Sequence, residues 1–513
     1  MAIKRYKADA DTTIVNAFQP GLVTRGTGAN MGEADVSEIF SIYGRESTGS
    51  QELSRMLTKF SMAEISADRT AGKIPASGSV SFYLRLFNAE HSKTVPRDYK
   101  LVIQPVLRSW QEGVGLDLET YKDLTKGNTG ANWMSASNTT PWTAVGGDYR
   151  TLPSVTFEQS LSTGLEDLNI NITSLVEQWI DGTYSNNGVG VRLSSSYEAQ
   201  YSSSTGEDTG SLINNVSGAT KSYYTKRFFA RGTQFFFKRP VLEARWNSVI
   251  KDDRGDFYYS SSLAPGADNL NVIYLYNYVR GRLTNIPVVG TGPILVSLYS
   301  GSYDNTAPSG SKLILYDGGT NVTGGYKSTG IYTASVSVTS ALTPLTTLYD
   351  VWHSGSNIET TTGVEYFTGS ITPLTLAGAV QSSEPVYYLN ITNLKDKYRN
   401  DETARLNLYI RDKYWNPTIY TVANSTPEST TMVSASYRIF RVMDAFEAIP
   451  YGTGSEVSTQ MSYDISGNYF DFDMNLLEPG YAYALKFAFY DTSLVSWVEQ
   501  PEVFKFRVED YEY

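Results

Sequence analysis

The segment Glu166–Leu193, EDLNINITSLVEQWIDGTYSNNGVGVRL, constrains the fold of this chain most tightly. Leu168, Ile170 and Ile172 alternate with Asn169 and Asn171, the period of a strand with one buried face. Thr173 or Ser174 is placed to cap a short helical turn, SLVEQWIDG, that turns Leu175, Val176 and Trp179 inward as core. Gly182 suits the positive φ that commonly ends such a turn, and Asn187-Gly188 marks another. Val189, Val191 and Leu193 then form the next alternating strand. Strand, capped turn with an inward Trp, tight turn, strand is the unit around which the rest is organised.

Composition extends this reading to the whole chain. With 38 Tyr and 42 Gly, aromatic residues are available to pack on pleated faces and glycines to punctuate turns, which predicts an all-β protein. At 513 residues the chain is too long for one core, so several domains are expected. There is no Cys, which excludes a disulfide framework, thiolate catalysis and a Cys zinc site. The only histidines, His91 and His353, are far apart in sequence, which speaks against a His-based triad or a multi-His metal site. Lys plus Arg number 42 against 53 Asp plus Glu, a net charge of −11, so no nucleic acid or acidic membrane is expected as a partner. No apolar run is long enough for a membrane helix, and the opening MAIKRYKADADTTI lacks an apolar signal core, so neither membrane insertion nor Sec export is expected.

Further elements line up before and after the central segment. A strand is expected in KADADTTIVNAF, then a loop over Gly26–Gly32, a strand at Ile39–Tyr43 and a turn over Gly44–Ser50. Strands are expected at Glu52–Phe60, Val80–Phe87 (after Ile74-Pro75) and Asp98–Val106. Residues 113–160 read as a long polar excursion, Ser194–Thr220 as an exposed polar tract, and Pro240–Trp246 as a closing strand. The ordered set Leu168–Thr173, Leu175, Val176, Trp179, Gly182 and Asn187-Gly188-Val189 resembles the DNRLRE domain family, with Asn171 where that family commonly has Asp. Arg55, Leu57 and Phe60, the Ile74-Pro75 step and the Trp110-Gln111-Glu112-Gly113 step resemble it as well. The likeness covers roughly residues 8–246, implies a β-sandwich and is silent on function. The opening MAIKRYKADADTTIVNAF and the sequences RPVLEARW and LYDVWHSGS resemble uncharacterised structural proteins of marine contractile-tailed phages.

The expected architecture is therefore multidomain: a DNRLRE-like β-sandwich over 1–246, a linker over 247–265, an immunoglobulin-like β-sandwich over 266–376, a linker over 377–385 and a C-terminal β-sandwich over 386–513. The second unit reads from Asn271–Arg280, Ile294–Tyr299, Leu313–Tyr316, Ile331–Val338 and Leu348–Trp352. The third reads from Tyr387–Ile391, Ala404–Ile410, Ser436–Val442, Tyr469–Asn475, Tyr481–Tyr490 and Phe504–Val508, with no helix longer than about two turns.

Candidate sites are few. Arg254-Gly255-Asp256 spells an adhesion tripeptide, but in a charged turn it is more simply a chance match. Trp110, Trp133, Trp142 and Trp179 could stack on sugar rings, though their apolar area favours burial. The carboxylate pairs Glu166/Asp167, Glu177/Asp181 and Asp471/Asp473 could serve as acid and base, yet the same spacing arises on any solvated face. Asp396–Glu402 is acidic but lacks the Gly and the spacing of a calcium loop. No catalytic residue, cofactor or metal is assigned. The tract YYTKRFFARGTQFFF is different: alternation allows only every second residue inward, so among Phe228, Phe229, Phe235, Phe236 and Phe237 some must face outward and need cover. Lys226, Arg227, Arg231, Lys238 and Arg239 flank them. The expected function is non-enzymatic: a structural component of a tailed-phage virion, at the capsid surface, neck or tail, partnered by other virion proteins and by copies of itself. The alternative is a carbohydrate-binding adhesin that attaches the particle to host glycans.

Overall fold

The computed structural model describes residues 2–16, 28–43, 51–90, 95–116, 130–198, 200–201, 212–214, 223–260, 265–301, 310–339, 345–355, 363–374, 386–417, 419, 421, 427–454 and 457–510. His91, the Gly44–Ser50 turn, Gly26 and Thr27 of the Gly26–Gly32 loop, the 377–385 linker and most of the Ser194–Thr220 tract lie outside the described residues. The protein is all-β, built of several sandwich-like sheets in two compact units, Ala2–Asn247 and Ser248–Tyr513.

In the first unit the strands are β1 (Ile3–Asn16), β2 (Val36–Tyr43), β3 (Gln51–Phe60), β4 (Val80–Leu86), β5 (Tyr99–Pro105), β6 (Phe157–Leu161), β7 (Leu168–Asn171), β8 (Val189–Leu193), β9 (Tyr223–Phe229) and β10 (Val241–Trp246). They hydrogen-bond in the order β6-β5-β8-β3-β1-β10-β4-β7, with β2 pairing β3 and β9. β1 belongs to both halves of this path. Ile3–Lys7 pair with β10, and from Ala8 onward the strand pairs with β3, with a register shift between Ala8 and Ala10. Such a bulge bends the strand and lets one strand turn the corner between two sheets. At the other edge a side chain stands in for a ladder. Gln159 on β6 donates from Nε2 to the Asp167 carbonyl (2.8 Å) and accepts the Asn169 N–H on Oε1 (2.9 Å), bridging to β7.

Between the sheets lies one apolar core that includes Phe60, Phe82, Leu84, Leu101, Leu242 and Trp246. Leu175, Val176 and Trp179 enter it from the helix Thr173–Ile180. That helix is capped differently from the expectation. Neither Thr173 nor Ser174 is its N-cap; the apolar Ile172 is, and Asn171 Oδ1 accepts the Thr173 N–H (3.0 Å) and hydroxyl (2.6 Å). Thr173 Oγ1 is instead taken by the Phe82 N–H (2.8 Å), which ties the helix start to β4. Gly182 and Gly188 have φ of +80° and +78°, as the turns require. A second helix, Met62–Thr70, escaped the sequence reading although Ser61-Met62-Ala63-Glu64 has capping-box form; Ser61 Oγ accepts the Glu64 N–H. The two helices are joined by Arg69, whose guanidinium meets the Glu177 carboxylate at 2.7 and 2.8 Å.

On the outer face of β10, Glu243 is buried beneath three arginines. It accepts from Arg5 Nε (2.6 Å), Arg245 Nε (2.7 Å) and Arg85 Nη1 (3.2 Å). Burial alone would raise its pKa, but Arg5, Arg85 and Arg245 hold the carboxyl well below the usual range.

In the second unit, the strands Asn271–Tyr276, Ile331–Val336, Val322–Ser328, Ile294–Tyr299, Leu348–Ser354 and Val364–Ile371 follow one another in a single hydrogen-bonded path. Val322–Ser328 is again a shared strand: Val322–Gly324 pair with Val296–Ile294 and Gly325–Ser328 with Thr333–Ile331. The expected strand Leu313–Tyr316 is not one: Lys312 makes a lone bridge to Tyr299, the Leu313 N–H reaches the Leu298 carbonyl (2.9 Å), and the chain turns at Tyr316. The remainder forms a four-stranded sheet around Thr403–Asp412 and a six-stranded sheet around Ala482–Asp491, with Tyr437 and Phe470 stacked between them at 4.1 Å.

Of the segment 247–265, expected as a linker, residues 247–260 are packed rather than free. Lys251, Tyr258 and Ser260 form parallel bridges to Tyr463, Leu374 and Thr339, and Phe257 is fully buried. Arg254 grips the buried Asp350 carboxylate with both terminal nitrogens (2.5 and 2.6 Å), and Tyr463 donates its hydroxyl to Asp253.

Two predictions follow from the first unit. Trp179→Ala should lower its stability by about 3–5 kcal/mol in chemical unfolding; an unchanged midpoint would show that the indole does not support the core. Glu243→Gln should cost about 3–5 kcal/mol at neutral pH. Because the folded pKa of Glu243 is depressed, its contribution is complete above about pH 4.5 and is lost as pH falls through the folded value. The gap between wild type and variant should therefore narrow toward pH 2, and a gap of constant size would contradict the ion-pair account.

Candidate functional site

The aromatic tract sits where β9 ends and the chain turns back into β10. Phe228 faces the core and is fully buried. Phe229, its neighbour on the strand, faces the other way, and its ring meets Phe235 edge-on at 5.5 Å. Strand alternation stops there. The Thr233 N–H reaches the Ala230 carbonyl (3.1 Å), Arg239 Nε donates to the Thr233 carbonyl (3.1 Å), and Phe236–Lys238 form a 3-10 turn. Phe235 and Phe237, which would share a face in a strand, are thereby sent apart: Phe235 is 52% exposed and Phe237 only 8%. Phe236 lies between, edge-on to Phe237 at 5.2 Å and beneath Lys7 Nζ at 4.4 Å.

The flanking cations differ just as sharply. Lys226 is no surface group; it is buried, and Nζ donates to Asn88 Oδ1 (2.8 Å) and to the carbonyls of Gly164 (3.2 Å) and Glu166. Burial pushes its pKa down to about 8, with Asp167 and Glu166 pulling the other way. Arg227 pairs with Glu38 and Arg231 with Glu112. Lys238 lies over the Phe87 ring. Lys7 is desolvated and also repelled by Arg239, so its pKa is lowered. The patch is thus an exposed Phe235 ring set edge-on against the half-buried Phe229.

The other candidates are absorbed by structure. Glu166 accepts the N–H groups of Ser162 and Thr163 and the Ser162 hydroxyl; against the burial that raises it, these bonds hold its pKa down to about 2. Glu177 is held by Arg69, Asp181 accepts the Thr183 N–H, Asp471 pairs with Arg405, and Asp473 accepts the Asn475 N–H. In Asp396–Glu402, Arg399 pairs with Asp401 and Lys395 with Glu402. Among the described residues no group of three His, Asp or Glu could hold a metal ion. The Arg of the adhesion tripeptide is occupied by Asp350. Trp133, Trp142 and Trp179 are buried, and Trp110 is half-buried with Nε1 on the Asn187 carbonyl (2.7 Å), so the four indoles do not form a platform. No helix among the described residues is long and apolar enough to cross a membrane.

Two arrangements were not legible in the sequence. Ser297 Oγ and His353 Nε2 lie 2.9 Å apart, the spacing of a nucleophile and its base. Both side chains are fully buried, and Nδ1 meets the Gly355 carbonyl, so no substrate reaches the hydroxyl in this arrangement. The second is a cleft of about 730 Å3 in the first unit, lined by Arg55, Arg108, Arg192, Asp148 and Tyr149 among others. Arg55, on β3, makes a bidentate pair with the buried Glu198 (2.6 and 3.2 Å) and also donates to the Gly146 carbonyl.

Lys226 yields a direct test of this geometry. Its ammonium should titrate near 8 in a carbon-detected NMR titration of labelled lysine, rather than near 10.4. An ordinary value would mean that Nζ is solvated and that this end of β9 is not closed.

No family model matches the chain, and no curated protein does. Among solved structures, the native conformation of E. coli alpha-2-macroglobulin aligns at 8% identity with a TM-score of 0.16, over 99% of this chain and 26% of that one. This chain thus spans about a quarter of that protein's length.

Proposed function

We propose that this is a non-enzymatic structural protein of a tailed-phage virion, a capsid-surface, neck or tail accessory component that works by association with other virion proteins and with copies of itself. The observation that carries the association is the Phe229–Phe235 pair. A phenylalanine that is half exposed and meets a second ring edge-on gains from being covered by a partner. Phe237 and Phe228 hold the same corner from within, so the patch rests on a rigid base rather than on a loose loop. The engagement of each candidate carboxylate in an ion pair or a backbone cap is consistent with a role that needs no chemistry. The virion assignment itself rests on the likeness of the opening and of the RPVLEARW and LYDVWHSGS sequences to phage structural proteins.

A second reading, attachment to host glycans, has one observation in its favour. Tyr388, Tyr414 and Trp415 are exposed on the C-terminal sandwich with the Asn416 carboxamide adjacent, and Asp412 Oδ1 fixes the turn by accepting the Tyr414 N–H (2.8 Å). Glycan-array binding by the full chain that disappears in Trp415→Ala would favour it.

For the association, sedimentation velocity across a concentration series is the test. Phe235→Ser should abolish self-association with a melting temperature within a degree or two of wild type. Phe237→Ser should lower the melting temperature by several degrees, since it opens the packed corner. Self-association of Phe235→Ser at wild-type strength would remove this surface from the proposal.

A further inference from the structure

The cleft beside Arg192 carries an inference independent of the association surface. Three guanidiniums, those of Arg55, Arg108 and Arg192, line it. Two carboxylates answer them. Glu198 is engaged by Arg55 in a bidentate pair and stands 3.8 Å from Arg192 Nη1. Asp148 accepts from Arg108 Nε (3.2 Å), but its oxygens also take the N–H groups of Thr143 and Ala144. One cation is therefore left in excess, and it falls on Arg192. The Arg192 side chain is 15% exposed; Nη2 donates to Gln104 Oε1 (2.9 Å) and Nη1 to the Leu193 carbonyl (3.4 Å), both neutral acceptors. Burial lowers its pKa; Glu198 opposes that shift, and Arg55 adds to it. The Tyr149 ring lies over both Arg192 and Arg55, 5.7 Å from each guanidinium carbon, and Arg192 borders the open cleft.

We propose that this cleft binds the oxyanion group, carboxylate or phosphate, of a small organic ligand. An anion in the cleft beside Arg192 would neutralise the excess guanidinium in a setting drier than bulk water, where such a pairing is strong. The rest of the lining suits an organic body on that head. Leu107 and Val145 are apolar, the Tyr149 ring is held by its hydroxyl on the Gly146 carbonyl (2.9 Å), and Thr143, Thr151 and Ser195 carry hydroxyls. The Tyr149 ring packs directly on Gly190, where a Cβ would meet it at 2.1 Å.

The test is a titration of the full chain at constant ionic strength with inorganic phosphate, with acetate and with chloride, followed by tryptophan fluorescence. Trp133 is a suitable reporter, its ring 5.0 Å from the Arg55 guanidinium carbon. Phosphate or acetate should give a saturable change that chloride does not. Affinity should fall at least tenfold in Arg192→Gln and in Arg108→Gln, and stay unchanged in Lys397→Gln, an exposed cation elsewhere. Arg108 is 40% exposed, so its variant serves if Arg192→Gln fails to fold. Saturation by phosphate alone identifies a phosphate head, by acetate alone a carboxylate head, and by both a general oxyanion site. A response shared by chloride, or one untouched in both arginine variants, overturns the proposal.

Discussion

β1 is the constraint on which the first unit depends. One strand cannot pair with two sheets unless its register breaks, and it breaks between Ala8 and Ala10. Before the break, Arg5 and Lys7 lie beside β10; after it, Thr12 to Asn16 lie beside β3. Everything at that corner follows. Arg5 reaches Glu243, the Ala8 N–H is taken by the Pro240 carbonyl, and Lys7 stands over Phe236. The exposed Phe235 and the half-buried Phe229 beneath it belong to the same corner. In the second unit Val322–Ser328 uses the same device, with Gly324 where a Cβ would meet the Thr333 carbonyl at 2.6 Å.

Much of the fold could be read from local pattern. Short apolar runs bounded by turn residues, such as Ile294–Tyr299 and Tyr387–Ile391, have the expected limits. Glu52–Phe60 alternates poorly because Arg55 points into a buried pair with Glu198, a partner 143 residues away that no local pattern reveals. The Met62–Thr70 helix was within reach, since Ser61 and Glu64 are its capping signal, but its weak apolar periodicity hid it. The segment 247–265 looks like a linker because it is polar; its charges are in fact used inside, Arg254 on Asp350 and Asp253 on Tyr463.

The candidate sites show the same division. That some phenylalanines of the 228–237 tract face outward follows from the period of a strand. Which ones do so does not, because a 3-10 turn replaces the strand after Phe235. The arginine-lined cleft is assembled from positions 55, 108, 148 and 192, and composition pointed away from it, since a chain of net charge −11 gives no hint of a local cation excess. Charge balance is decided pair by pair here: Glu243 faces three arginines, whereas Arg192 shares Glu198 with Arg55.

The role proposed for this chain is that of a structural part of a virion. Quantitative mass spectrometry of purified phage particles tests it most directly. The account predicts peptides from both compact units at a fixed copy number per particle, surviving salt washes that strip adsorbed protein. Absence of the chain from intact particles, with abundance in the lysate, would contradict it.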